Sequence, residues 1–125
     1  MEQTHELSLR VTMMPRDTNV HGTIFGGIIL SYIDQAGAVH VRRHGCHTVV
    51  TVAMEGVVFH QPVYVGDIVD LRTQTQSIGR TSVRVRVIVE ATRYADNTRV
   101  LVTEAEVTYV NVDEQRRPAP IPVPL

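Results

Sequence analysis

The second half of the chain consists of four strand-like segments whose connections are too short for parallel pairing. The segments cover residues 48–60, 67–78, 81–93 and 99–112. Alternation with period two is clearest in the third segment, where four valines share one face: Val83, Val85, Val87 and Val89. Connections of two to six residues fit antiparallel neighbours and cannot hold a parallel crossover. The sequence therefore predicts antiparallel strands, with Gly56 as a bulge inside the first of them.

One long segment departs from this alternation and follows the helical period. Between residues 25 and 44, apolar residues recur at spacings of three and four: Phe25, Ile29, Tyr32, Ile33, Ala36 and Val39. Gly45 is placed to stop a helix, and basic side chains precede it, where cations suit the helix dipole. With a first strand over His5–Thr12, the sequence predicts an α+β fold in which a five-stranded antiparallel sheet wraps around one central helix. A single helix covers only part of such a sheet, so a dimer is expected.

Length and composition narrow the class of protein. The 125 residues suffice for one domain, which we place over residues 1–116. Residues 117–125 are rich in proline and are expected to form an extended or disordered tail outside the core. A lone Cys46, no apolar leader and no apolar run of membrane length predict a cytoplasmic protein without a membrane partner. A net charge of −1 argues against a nucleic-acid partner.

The stretch "DTNVHGTIFGGIILSYID", from Asp17 to Asp34, carries the chemical signal. Gly26 and Gly27 begin the helix, where free N–H groups and the positive dipole end can face a ligand oxygen. The two glycines could equally serve only to let the helix pack closely on the sheet. Asn19 and His21 precede them in a loop.

Asp34 lies within the helix, just under two turns after Gly27. It could belong to a solvated face, or form an ion pair with Arg42 or Arg43. It could also be a functional carboxylate, since such a group is costly to bury without a partner. Eight residues separate Gly26 from Asp34, roughly 12 Å along a helix. One reacting carbonyl cannot touch both, so a site that uses both must combine two subunits.

Other common chemistries lack support in the sequence. The six histidines show no zinc-type spacing, because His40 and His44 lack a third ligand in a recognisable motif. No metal and no cofactor is expected. Ser31 is not in a nucleophile elbow. Cys46, between two histidines, is open as a reactive thiol.

The chain resembles the hot-dog-fold acyl-CoA thioesterases, in particular their acyl-CoA hydrolase branch. The resemblance rests on "DTNVHGTIFGGIILSYIDQAGAV", "FHQPVYVGDIV", "SIGRTSVRVRVIVEA" and "VNVDEQRRPAPIP". It implies that Asp34 is the general base or the nucleophile. It further implies that Asn19 places water or the carbonyl, and that Gly26 or Gly27 supplies the N–H donor to the thioester.

The same resemblance implies that Arg80, Thr81 and Ser82 lie near the CoA phosphates, and that the assembly is a homo-oligomer, with a trimer of dimers favoured over a tetramer. Coenzyme A is then part of the substrate. All 12 basic residues are arginine, which suits phosphate recognition but also fits a simple composition bias. Arg84 and Arg86 could extend a basic rim or pair with Glu90.

Two other functions stay open for such a fold. A non-catalytic acyl-CoA-binding or regulatory module would be expected to lack the carboxylate that Asp34 provides. A dehydratase acting on hydroxyacyl thioesters would require a histidine in its motif, and the Gly26–Gly27 segment contains none. Ile28, Tyr32 and Val58 are the side chains expected to close the acyl pocket.

Overall fold

The computed structural model describes residues 5–122 and shows one long helix against a five-stranded antiparallel sheet. Strand β1 (Glu6–Thr12) is followed by a short 3₁₀ turn (Pro15–Asp17) and helix α1 (Gly26–Arg43). The remaining strands are β2 (Val49–Glu55), β3 (Ile68–Ile78), β4 (Ser82–Thr92) and β5 (Arg99–Asn111). The predicted α+β architecture is thus confirmed.

The strands lie in the order β1-β3-β4-β5-β2, so β1 and β2 form the two edges of the sheet. The hairpins β3–β4 and β4–β5 follow from their short connections, as predicted. Strand β2 is shorter than predicted because it ends at Glu55. Gly56, at φ +73°, terminates this strand rather than forming a bulge inside it, and the register shift of the β2–β5 pair lies between Thr51 and Ala53.

The core lies between α1 and the concave face of the sheet. All four valines of the alternating face of β4 are buried there, together with Ile29, Ile33 and Ala36 of the helix. Two members of the predicted apolar stripe, Phe25 and Val39, are instead exposed. The buried face extends instead to Gly37, His40 and Val41. Gly37 lies against Tyr109 of β5, and the His40 ring is hydrogen-bonded to Thr73 and Thr75 of β3.

The outer face of the sheet is charged and internally paired. Arg84 lies 3.3 Å from Glu106, and Arg86 lies 2.9 Å from Glu104. Glu90 pairs with Arg72 instead of with the two arginines of its own strand. Each pair joins diagonal neighbours on adjacent strands, which long side chains can span.

The tail is a structural element, in contrast to the expectation that it stays outside the core. Ile121 is buried within the core, and its N–H donates to the Arg80 carbonyl at 2.8 Å. Asn111 holds the segment further, since its Nδ2 donates to the Pro120 carbonyl at 3.0 Å. Alternating prolines keep the backbone extended, which lets a single isoleucine reach the core. Residues 1–4 and 123–125 of the predicted segments lie outside the described residues.

Within residues 5–122, no helix is both long and apolar enough to cross a membrane.

Candidate active site

A closed loop brings Asn19 to the start of helix α1. The Phe25 N–H donates to the Asp17 carbonyl at 2.8 Å, and Thr18 and Ile24 form an isolated bridge, so the two ends of the loop meet. Asn19 Oδ1 accepts from the N–H of His21 at 2.8 Å, and its Nδ2 donates to Thr23 Oγ1 at 2.9 Å. The amide therefore shapes the loop and still carries a second Nδ2 hydrogen.

Gly26 and Gly27 form the first turn of α1, as predicted. Phe25 occupies the N-cap position without a side-chain cap, and N–H groups at this end have no carbonyl partner within a helix. A Cβ on Gly26 would meet Phe59 at 3.7 Å, an ordinary contact, whereas one on Gly27 would meet Phe25 at 2.6 Å. Glycine at 27 thus leaves the space that the Phe25 ring occupies.

A cavity of about 250 Å³ opens beside Gly26. Its walls are mostly apolar and come from both sides of the helix start: Ile24, Ile29, Phe59, His60, Pro62 and Val63. The side chains expected to close a pocket, Ile28, Tyr32 and Val58, do not line this cavity within the described chain. Residues 59–63 line the cavity instead, because the connection after β2 folds back over the helix start.

Asp34 is half-buried on the β2 side of the helix. Its Oδ1 accepts a hydrogen bond from Thr51 Oγ1 at 2.7 Å. The ion pairs considered for it are absent from residues 5–122, since Arg43 instead contacts Glu6 at 3.0 Å and Arg42 is exposed. A carboxylate held by one neutral hydroxyl keeps acceptor capacity on its second oxygen.

Tyr109 fixes the backbone of Asp34. The Tyr109 hydroxyl donates to the Asp34 carbonyl at 2.7 Å from a fully buried position on β5. Burial, with the nearby Asp34 carboxylate, raises the pKa of Tyr109 far above its usual value, so the hydroxyl stays a neutral donor. Gly37 makes room for this contact, because a Cβ there would overlap the Tyr109 hydroxyl.

Arg80, Thr81 and Ser82 form the turn between β3 and β4. Gly79 donates to the Ser82 carbonyl at 2.8 Å, and Asn111 donates to the Thr81 carbonyl at 2.8 Å. The Arg80 side chain is exposed and has no ion-pair partner among residues 5–122, unlike Arg84 and Arg86. It is therefore available for an anionic ligand, whereas the other two are neutralised by glutamates.

The three parts of the candidate site do not meet within one chain. The Arg80 turn contacts the tail, and the tail contacts Gly45 just beyond the end of α1, where a Cβ would meet Pro122 at 3.8 Å. Gly26 is at the other end of this 18-residue helix, roughly 27 Å away along its axis. Asp34 lies between the two ends, roughly 12 Å from Gly26 along the helix.

A family model described as the thioesterase superfamily matches residues 21–93, more than half of the chain. The chain belongs to this superfamily. The matched range contains the helix start, Asp34 and the Arg80 turn, whereas Asn19 lies just before it.

Individual members of the superfamily align over nearly the whole chain. The acyl-CoA thioester hydrolase YciA of Salmonella typhimurium is 40% identical over 121 residues, covering 94% of this chain and 91% of its own. A hexameric hotdog fold thioesterase of Campylobacter jejuni is 42% identical with a TM-score of 0.88, over 94% of this chain and 90% of its own. A hexameric thioesterase of Yersinia pestis is 36% identical with a TM-score of 0.91, over 98% of this chain and all of its own. The predicted hot-dog fold is thereby confirmed.

Sequence reasoning missed Thr51 and Tyr109, the two residues that position Asp34. They lie 17 and 75 positions from it in the chain, so no local motif could reveal them.

Cys46 is buried, and burial raises the pKa of its thiol. This environment disfavours the reactive thiolate that the sequence left open.

Proposed function

We propose that this thioesterase hydrolyses acyl-CoA thioesters to the free acid and coenzyme A. One observation carries the proposal: helix α1 bears two groups that suit this reaction. Its glycine start lies beside an apolar cavity, and its half-buried Asp34 carboxylate is oriented by the Thr51 hydroxyl. Thioester hydrolysis needs one activated water and one stabilised oxyanion, which these two groups can supply. Membership of the superfamily and the acyl-CoA substrates in the names of its relatives support this assignment.

Each group is given one role. The Gly26 or Gly27 N–H polarises the thioester carbonyl and holds the oxyanion, while the acyl chain enters the neighbouring cavity. Asp34 acts as a general base on water or as the nucleophile, and Thr51 orients it. Asn19, at the loop tip, positions the water or the carbonyl with its second Nδ2 hydrogen. Arg80, Thr81 and Ser82 contact the phosphates of coenzyme A.

The active site is composite, with the helix start of one chain facing Asp34 of another. The distance along α1 requires this, and the surface around Asp34 favours it. Edge strand β2, which carries Thr51, exposes Val50 at 43% and Val52 at 55%. An unpaired edge with exposed apolar side chains is suited to pairing with a second copy. A trimer of such dimers is proposed, in line with the hexameric relatives.

Asp34→Asn is the test of the proposed reaction. Release of coenzyme A from a panel of short to long acyl-CoAs is expected to fall by about 100-fold or more, a typical effect of losing a general base. Affinity for coenzyme A should be unchanged in calorimetry, because asparagine can still accept from Thr51. Asp96→Asn, in the exposed β4–β5 turn, is the matched control and should keep full activity.

Two results would contradict the proposal in different ways. If the native enzyme binds acyl-CoA but hydrolyses none of the panel, the protein is a binding module. If Asp34→Asn retains native turnover, the carboxylate has no role in hydrolysis. In a single turnover in H₂¹⁸O, direct attack of water places ¹⁸O in the product acid. An unlabelled product acid together with ¹⁸O in Asp34 would instead show an Asp34–acyl anhydride that water opens at the Asp34 carbonyl.

A further inference from the structure

A second cluster of reactive side chains lies on the opposite flank of helix α1. His40 and His44, one turn apart near the helix end, meet Glu6 of strand β1. Asp34 contacts strand β2 instead, and β1 and β2 are the two opposite edges of the sheet. The cluster is therefore separate from the site proposed for thioester hydrolysis.

The three side chains have donor atoms at distances close to those of a metal site. His44 Nε2 lies 2.6 Å from Glu6 Oε1, and His40 Nδ1 lies 3.7 Å from Glu6 Oε2. One ligand atom from each residue falls within 4.8 Å of the other two. Ligand atoms around a tetrahedral zinc ion are roughly 3.3 Å apart, so small rotations of these side chains would suffice.

His40 is held in place as a ligand would be. It is 2% exposed, and its Nε2 is hydrogen-bonded to Thr75 Oγ1 at 2.8 Å. Metal-bound histidines usually have the second ring nitrogen bonded to an oxygen in this way. Its Nδ1 is 2.8 Å from Thr73 Oγ1, and Thr73 would keep a partner without this bond, because Ser8 Oγ lies 2.5 Å from it.

We propose that Glu6, His40 and His44 bind a Zn²⁺ ion that joins strand β1 to the end of helix α1. Two imidazoles and one carboxylate suit zinc, with water in the fourth position. Arg43, 48% exposed, occupies Glu6 Oε2 at 3.0 Å and competes with the ion.

The test uses the full, untagged chain after treatment with a chelator. Calorimetry with Zn²⁺ alone is expected to show one saturable site per chain, and Co²⁺ should give the visible absorption of tetrahedral coordination. Zinc should also raise the Tm, since binding to the native state stabilises it. His44→Gln and Glu6→Gln should each weaken binding at least about tenfold, whereas His47→Gln, at an exposed histidine nearby, should not.

A further variant separates a metal site from an ordinary ion pair. Arg43→Gln removes the competing cation and should tighten zinc binding while leaving the hydrolysis rate unchanged. The absence of saturable binding at micromolar zinc would overturn the proposal. So would binding that survives both His44→Gln and Glu6→Gln, because the ion would then sit elsewhere.

Discussion

The backbone at Asp34 is held by a tightly packed contact behind the helix. Tyr109 holds its carbonyl, and Gly37 leaves space for the Tyr109 hydroxyl. Gly37→Ala should lower the free energy of unfolding by about 1–3 kcal/mol, since the new methyl group overpacks a buried contact. Denaturant unfolding measures this effect.

Gly26→Ala is the control for that experiment. The added methyl group would make only an ordinary contact with Phe59, and alanine favours a helix over glycine. Equal or greater stability is expected for this variant. If Gly37→Ala were as stable as Gly26→Ala, the tight packing around Tyr109 would be wrong.

Arg80 is expected to recognise only the nucleotide half of the substrate. Arg80→Gln should raise KM for acyl-CoA about tenfold, the effect of losing one charge-assisted contact, with little change in kcat. For acyl-pantetheine, which lacks the nucleotide phosphates, KM should not change. Arg99→Gln, at the far end of the β4–β5 hairpin, serves as the control. An equal loss on both substrates would exclude a phosphate contact.

Much of the candidate site was predictable because its residues are close in sequence. Asn19, Gly26, Gly27 and Asp34 lie within one loop and one helix, and helix geometry alone showed that the carboxylate cannot reach the helix start. Thr51 could not be predicted, because its contact with Asp34 depends on where strand β2 pairs. Because of that pairing, Asp34 accepts a hydrogen bond from the neutral Thr51 hydroxyl and is not paired with an arginine.

In helix α1, the hydrophobic periodicity of the sequence predicts the bounds of the helix better than its buried face. Its bounds were predicted to within one residue at each end, since glycine and apolar spacing mark them. Its buried face was not, because Phe25 and Val39 have the right spacing but are exposed. His40 was overlooked as a buried residue, since its burial depends on the hydroxyls of Thr73 and Thr75 on a distant strand.

The C-terminal tail is expected to contribute to stability through Ile121. Ile121 buries its side chain in the core and its N–H holds the Arg80 turn. Ile121→Ala should destabilise the protein by about 2–4 kcal/mol, the usual range for truncating a buried aliphatic side chain, as measured by thermal unfolding. Pro120→Ala, at an exposed neighbour, should have little effect. Equal stability of the two variants would mean that the tail does not pack as described.

The fold class of the whole molecule could be predicted from the sequence, but its strand order could not. Short connections determined the β3–β4–β5 meander, because consecutive antiparallel strands pair through tight turns. The places of β1 beside β3 and of β2 beside β5 depend on long-range pairing that periodicity does not encode. That order matters for function, since it leaves β2, next to Asp34, as an edge that a second chain can complete.

The proposed active site needs Asp34 from one chain and the helix start from another. Mixing two inactive variants tests it most directly. Asp34→Asn removes the carboxylate, and Gly26→Pro removes the N–H of the first helical residue, where proline is tolerated because the preceding Phe25 is already extended. A mixed dimer then contains one site with both groups intact.

Coenzyme A release is the measurement, made on each variant alone and on an equal mixture after unfolding and refolding together. Each variant alone is expected to be inactive, and the mixture is expected to recover about a quarter of native activity, since half of randomly formed dimers are mixed and each has one working site. No recovery in mixtures shown by mass spectrometry to contain mixed dimers would place the carboxylate and the donor in the same chain, and would contradict the composite site.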